Sequence, residues 1–162
     1  MDLFDIRGGT INLTASALTL TAGQTYYSTT GTQTFAINGR LYTTAADTNV
    51  QVPDTDTNDA AAFTTLANGE SCIFVFGWLA SGEMGVVQGA IVSTADVVDR
   101  AAALDWPSIP ATLCPFAYAT FANANATSWL FGTGLWDATD LTVGTVVNVA
   151  LLPTQPLITT SA

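Results

Sequence analysis

The hydrophobic and polar positions of this chain form short runs that turn residues separate. Residues 72–79 are apolar throughout, which is typical of a strand that is buried on both faces. A Ser81-Gly82 turn follows, and residues 84–87 are apolar again. This order predicts a hairpin of two core strands.

The strongest turn signal is Asn38-Gly39, which lies between apolar runs at residues 35–37 and 41–43. Both residue types tolerate the positive φ angles that a type I′ turn needs at its two central positions. The segment therefore predicts another hairpin, upstream of the first.

One helix is expected to begin near Ser93, with Asp96 as the capping partner, and to continue to Leu104. The prolines of residues 106–110 end it, because proline lacks an amide donor and disfavours helix in the residue before it. The chain then returns to a strand at residues 116–120.

The chain divides into three expected parts. The alternation is weak in residues 1–32, which predict an N-terminal arm with short strands. Residues 33–152, in which the last strand alternates from Val143 to Leu151, predict a β-sandwich domain, and residues 153–162 a tail. We therefore predict an all-β fold, a two-sheet β-sandwich or jelly-roll-like domain with one short helix and an extended N-terminal arm.

Composition agrees with this fold class. Hydrophobic residues make up 49% of the 162, enough for the core of one domain. Roughly one residue in six is threonine, and threonine favours pleated, half-buried surfaces over helix.

The charge balance excludes two kinds of partner. Three basic residues, Arg7, Arg40 and Arg100, stand against 13 acidic ones, for a net charge of -10. Neutralising phosphates requires clustered bases, so we expect neither nucleic acid nor an anionic membrane as a partner. The acidic start lacks the basic region of a secretory signal, and the apolar run at residues 71–80 is too short to span a bilayer.

Candidate chemistry is sparse, so we expect a protein that is not an enzyme and needs no cofactor. There is no histidine, which removes the Ser-His and Cys-His nucleophile arrangements and the histidine-containing zinc sites. The acidic loop at residues 54–59 resembles the start of a calcium loop, but Asp59 stands where glycine is needed and Thr65 where an acid is needed. A solvated loop is the main expectation, with weak calcium binding left open.

The two cysteines, Cys72 and Cys114, both lie in apolar segments. Free, buried thiols are the commoner outcome in such segments, and a disulfide between the two stays open. The cysteines therefore leave the redox compartment undecided.

The aromatic residues near the C-terminal end have two interpretations. Trp129, Phe131 and Trp136 cluster around Gly132 and Gly134, in a segment that glycine interrupts too often for an ordinary strand. Large aromatic side chains on a loop often anchor an interface, so the three are candidate contacts between subunits. The alternative is that they plug the sandwich of their own chain.

Four segments resemble the small β-structured proteins that decorate, or cement, the heads of tailed bacteriophages. They are FAINGRL at residues 35–41, the strand and turn FVFGWLASG at 74–82, WPSIP at 106–110 leading into CPFAY at 114–118, and FGTGL at 131–135. Together they span most of the chain. The last segment departs from the family pattern, because Gly134 and Trp136 replace polar residues.

The resemblance implies a virion protein that forms homotrimers on the outer surface of the capsid and joins neighbouring subunits of the major capsid protein. Negative charge and the lack of lysine are in keeping with an outer surface that faces water. We also expect Leu3, Phe4 and Ile6 to lie on an arm that orders on the capsid or on a neighbouring subunit by strand addition.

Two other functions stay open at this stage. A carbohydrate-binding β-sandwich of a fibre or adhesive surface would use aromatic side chains as a stacking platform, with calcium in the acidic loop. Of the four tryptophans, Trp78 and Trp106 are expected to pack inside, which leaves Trp129 and Trp136 for the platform. A carboxylate hydrolase acting through Asp54 or Asp56 is the weaker alternative, because catalytic carboxylates need separate environments that these loop positions lack.

Overall fold

The computed structural model describes residues 9–15, 17–95 and 104–153, and everything below refers to these. They form a nearly all-β, sandwich-like domain with several antiparallel sheets, as predicted. The strands are β1 (Ile11–Asn12), β2 (Leu18–Leu20), β3 (Tyr26–Thr29), β4 (Gln33–Ile37), β5 (Arg40–Thr44), β6 (Val50–Gln51), β7 (Glu70–Leu79), β8 (Met84–Gln88), β9 (Val92–Ser93), β10 (Leu113–Asn123), β11 (Leu141–Val143) and β12 (Val147–Asn148).

The two longest strands, β7 and β10, pair along almost their whole length at the centre of the molecule. They belong to a six-stranded sheet in the order β11-β10-β7-β8, in which β12 also pairs with β10 and β9 with β7. Residues 71–78 of β7 are buried without exception. The continuous apolar run in the sequence is therefore explained by a strand covered on both faces.

The two faces of this central sheet support hydrophobic clusters of different size. Phe74, Phe76 and Trp78 point into the larger cluster, whereas Ile73 and Val75 belong to a smaller one on the other side. This follows from the alternation of side chains along a strand. The smaller cluster also contains Tyr118 and is flanked by half-buried side chains of the segments 106–109 and 147–152.

The larger cluster is covered by two three-stranded sheets, in the orders β1-β4-β5 and β2-β3-β6. Phe35 and Ile37 reach it from the first of these sheets, and Leu18 and Tyr27 from the second. The described part of residues 1–32 thus packs against the same core as the rest of the chain, and β3 pairs with β6 across the expected boundary at residue 32.

Both predicted hairpins are confirmed. In the first, β4 and β5 pair up to the contact of Ile37 with Arg40, and Asn38 and Gly39 have φ angles of 51° and 76°. These angles are those of a type I′ turn. In the second, β7 and β8 pair from Phe74, opposite Gln88, to Trp78, opposite Met84. The Ser81-Gly82 turn lies between the two strands.

Strand β10 begins at Leu113, three residues before the predicted start at residue 116. The prediction starts the strand after Pro115, because proline lacks an amide donor for the sheet. The pairing with β7 shifts register between Pro115 and Ala117, so a β-bulge accommodates the proline within the strand.

The last predicted strand, from Val143 to Leu151, is two strands in the structure. Strands β11 and β12 both pair with β10, and Gly144 lies between them with its amide bonded to Thr120 O at 2.7 Å. Of the predicted helix, Thr94 and Ala95 are helical, and most of the remaining positions lie outside the described residues.

A seam joins the two ends of the described chain. The amide of Asn12 in β1 donates to Ala150 O at 3.1 Å, and the amide of Leu18 donates to Asn148 Oδ1 at 3.0 Å. Strand β1 is thus held on one side by β4 and on the other by the segment that follows β12.

Candidate binding surfaces

The candidate contact residues from the sequence are separated in the structure. Leu3, Phe4 and Ile6 lie outside the described residues, so the arm stays a prediction. Trp129, Phe131 and Trp136 are brought together, with exposed fractions of 5%, 1% and 5%. The structure therefore favours the alternative in which these three side chains, here called the aromatic plug, fill the sandwich of their own chain.

Ring contacts hold the plug against the central sheet. Phe131 stacks on Phe74 of β7 with ring centroids 4.3 Å apart, and Trp129 stacks on Phe121 of β10 at 5.3 Å. Trp136 is 5.2 Å from Phe131. Such pairs contribute beyond the apolar area that they bury.

The polar atoms of both indoles in the plug are satisfied inside the chain. Trp129 Nε1 donates to Leu135 O at 3.2 Å, and Trp136 Nε1 donates to Tyr26 O at 3.0 Å. Burying an indole without a partner for its N–H is unfavourable, so these bonds let the plug lie in the core.

The glycines that interrupt the segment are required by this packing. A Cβ at Gly134 would overlap Nε1 and Cδ1 of Trp129, and a Cβ at Gly132 would lie 3.0 Å from Asp54 Cα. Gly132 also has a φ of 85°, which side chains rarely adopt. The glycines thus indicate close packing, whereas the sequence interpretation took them as signs of a surface loop.

The hairpin β4–β5 presents the most exposed apolar side chains of the first small sheet. Ile11, Ala36 and Leu41 are cross-strand neighbours on the side opposite to Phe35, and Leu13 continues that side two residues after Ile11. Ala36 is buried and Ile11 is half-buried, so Leu41 and Leu13 form the exposed part of this side. Leu41 is 60% exposed and Leu13 is 55% exposed. These four residues are called the hairpin face below.

The hairpin face was missed as a surface by the sequence interpretation. Residues 41–43 were assigned to a strand without deciding which side chains face inward. The structure shows that Tyr42 stacks on buried Phe35, with ring centroids 5.7 Å apart. Because side chains alternate, Leu41 must then face outward, and the pairing of Leu41 with Ala36 through the Asn38-Gly39 turn was the signal that could have found it.

The hairpin face ends at a free strand edge. Within the described residues, β5 pairs with β4 and with no strand on its other side. The β8 edge of the central sheet is covered, by contrast: Val86 N in β8 donates to Thr57 Oγ1 and Gln88 N to Asp56 Oδ2, each at 2.8 Å. An uncovered edge is a ready template for pairing with another chain.

The acidic loop uses its carboxylates to hold its own backbone. Asp56 Oδ1 accepts the amide of Asn58 at 2.7 Å, and Asp59 Oδ1 accepts the amide of Ala61 at 2.9 Å. Within the described part of the chain, no group of three His, Cys, Asp or Glu side chains is arranged to hold a metal ion.

Cys72 and Cys114 are both buried and form no disulfide with each other, as favoured by the sequence. Cys72 lies opposite Phe121 and Cys114 opposite Trp78, six residues apart along β7, which places them about 20 Å from each other. Burial raises the pKa of the Cys72 thiol to about 12. This thiol is therefore protonated, and unreactive as a nucleophile, at neutral pH.

The tryptophans offer no stacking platform for a sugar. All four lie in the described segments, and none is exposed: Trp78 is fully buried, and Trp106 is half-buried, with Nε1 donating to Pro153 O at 2.8 Å. No specific contact therefore favours the carbohydrate-binding alternative.

Comparison with family models, with curated proteins and with solved structures gives no match to this chain. Among the described residues, no helix has the length and apolar character needed to cross a bilayer.

Proposed function

We propose that this chain is a non-catalytic decoration protein that binds the outer surface of a bacteriophage head and reinforces contacts between subunits of the major capsid protein. The proposal begins from the resemblance of four segments, of which residues 35–41 are the most distinctive. Those residues form the hairpin that carries Leu41 and the free edge of β5. This exposed hairpin is the observation on which the proposal mainly rests.

The exposed hairpin has the features of a docking surface. Leu41 and Leu13 expose apolar area beside a strand edge with which no described strand pairs. Strand addition at such an edge supplies main-chain hydrogen bonds, and apolar side chains beside it supply specificity. The major capsid protein is the proposed partner, and a homotrimer is the proposed form on the shell.

Charge supports the same location. The net charge of -10 with no lysine suits a surface that faces water, and it disfavours the inside of a head that is packed with nucleic acid. The aromatic plug takes no part in the proposed contacts, because its side chains are already buried in the core.

The location can be tested by immunogold electron microscopy. Antibodies against the purified chain are expected to label the outer surface of intact heads of the phage whose genome encodes it. Label on tails alone, or label that appears only after heads are broken open, would contradict the proposal.

The role of the hairpin face can be tested on heads that lack the protein. Purified Leu41→Asp is expected to bind such heads at least about tenfold more weakly than the natural chain, because a buried, unpaired carboxylate opposes docking. Leu135→Asp is the matched control, since Leu135 is also exposed, at 46%, but lies away from the hairpin face. Equal weakening by both variants would remove the hairpin face from the contact.

A further inference from the structure

A groove of about 510 Å³ lies where β6 meets the tip of the β7–β8 hairpin and the acidic loop. Its apolar lining includes Val50, Pro53, Leu79 and Met84, and Val50 is 38% exposed. One wall is β6, which pairs with β3 and has no strand on its other side among the described residues. The groove thus combines an apolar floor with a short free strand edge.

Three carboxylates, those of Asp47, Asp56 and Glu83, line the same groove. Their hydrogen-bond donors are neutral: Tyr27 Oη donates to Asp47 Oδ2 at 2.7 Å, and Ser81 Oγ donates to Glu83 Oε2 at 3.0 Å. Both oxygens of Asp56 accept backbone amides. These bonds orient the carboxylates without balancing their charge.

No described base compensates this charge. Arg40, the single base in the described ranges, lies 5.4 Å from the ring centre of Tyr42 and does not line the groove. Tyr27 also lines the groove, and its pKa is raised mainly by burial, with further contributions from the hydrogen bond to Asp47 and from the charges of Asp47 and Glu83. The groove is therefore complementary to a positive charge on an apolar stem.

We propose that this groove binds an extended basic segment of a partner polypeptide, with one arginine side chain lying along the apolar floor and its guanidinium between the carboxylates. Arginine combines a long apolar stem with a head that donates to carboxylates in pairs. The free edge of β6 favours an extended peptide over an isolated cation, because it offers backbone partners on either side of the arginine.

This inference goes beyond the proposed function, since the chemistry of the groove selects a basic peptide whether or not the partner is a capsid subunit. It also assigns a purpose to the placement of Glu83 at a hairpin tip and of Asp47 before β6. Glu83 is exposed and is not needed for the core, whereas Asp47 is half-buried and also accepts the hydroxyl of the buried Tyr27.

The test is a titration of the ¹⁵N-labelled full chain, followed by NMR, with the probe acetyl-Val-Arg-Val-amide. Saturable shifts are expected at the backbone amides of residues 47–60 and 82–85. A probe with citrulline in place of arginine keeps the shape without the charge, and it is expected to bind about fivefold more weakly. Equal binding of the two probes, or shifts spread over the whole surface, would overturn the proposal.

Two matched variants locate the charge that acts. Glu83→Gln is expected to weaken binding of the arginine probe about threefold, as for a partly exposed ion pair. Asp137→Asn removes one charge at an exposed position that does not line the groove, and it is expected to leave binding unchanged. Equal weakening by both variants would mean that only the net charge of the protein matters, and it would overturn the site. An unperturbed amide spectrum confirms that each variant is folded.

Discussion

The aromatic plug and the hairpin face are both apolar, yet the chain buries one and exposes the other. Phe131 is 1% exposed, whereas Leu41 is 60% exposed. In the plug, glycines let indole and phenyl rings approach the backbone and one another. In the hairpin, strict alternation gives the inner position to Tyr42, so Leu41 has no space inside. Local backbone geometry, and not the apolar character of the side chains, therefore decides which of these residues are buried and which are exposed.

The largest effect is expected from emptying the plug. Phe131→Ala should lower the free energy of unfolding by about 4 kcal/mol, because it leaves a cavity among Phe63, Phe74 and Trp136. Denaturant unfolding followed by tryptophan fluorescence measures this change. Leu135→Ala, in the same segment but exposed, should change it by less than about 0.5 kcal/mol. Similar losses in the two variants would break the comparison.

A smaller loss is expected from Gly134→Ala. Its Cβ would meet the indole of Trp129, which is held by stacking on Phe121, so the ring must shift at a cost of about 2 kcal/mol. The double variant Gly134→Ala with Trp129→Ala removes the indole atoms that the new Cβ would meet. Denaturant unfolding should give a loss for the double variant that is smaller than the sum of the two single losses; strictly additive losses would show that Gly134 serves another purpose.

Alkaline titration reports how well the plug keeps water from the core. Because the pKa of Cys72 is raised in the folded chain, the unfolded chain loses this proton first, at a pH near 9. Stability is therefore complete below pH 9 and falls by about 1.4 kcal/mol per pH unit as the pH rises toward 12. Cys72→Ala should remove this slope between pH 9 and pH 10 in pH-dependent unfolding; above pH 10 the raised pKa of Tyr27 adds a slope of its own. An unchanged slope would mean that water reaches the thiol.

The smallest effect on stability is expected at the hairpin face. Leu41→Asp should change the free energy of unfolding by less than about 0.5 kcal/mol, since the side chain is mostly in water. Thermal and denaturant unfolding of the isolated protein measure it. A loss as large as that of Phe131→Ala would show that Leu41 packs inside the molecule, and its weaker binding to heads would then reflect misfolding.

Local signals in the sequence were enough for much of the fold. Asn38-Gly39 determined a turn through its backbone preferences, and the apolar run of residues 72–79 identified the central strand. The continuation of β10 through Pro115 was not predictable in the same way, because it depends on a bulge opposite Gly77 of another strand. The sequence grouped the plug residues correctly but could not decide whether their side chains are buried or exposed.

The groove could not be predicted from local sequence signals either. Val50 and Asp56 lie far from Glu83 along the chain, and the three share a wall only after β6 and the β7–β8 hairpin have packed. Each residue alone resembles an ordinary surface position. Contacts between distant segments, which a single sequence does not contain, are what turn these positions into a candidate site.

The seam between β1 and residue 150 sets an order of events during synthesis. The hairpins at residues 33–44 and 70–88 involve close neighbours and can form while the chain is still being translated. The outer flank of β1 has its partner, Ala150 O, in a segment that is made after both hairpins. This flank therefore closes only once residue 150 has been made, whereas a product truncated before Val147 would keep a second open strand edge beside the first small sheet.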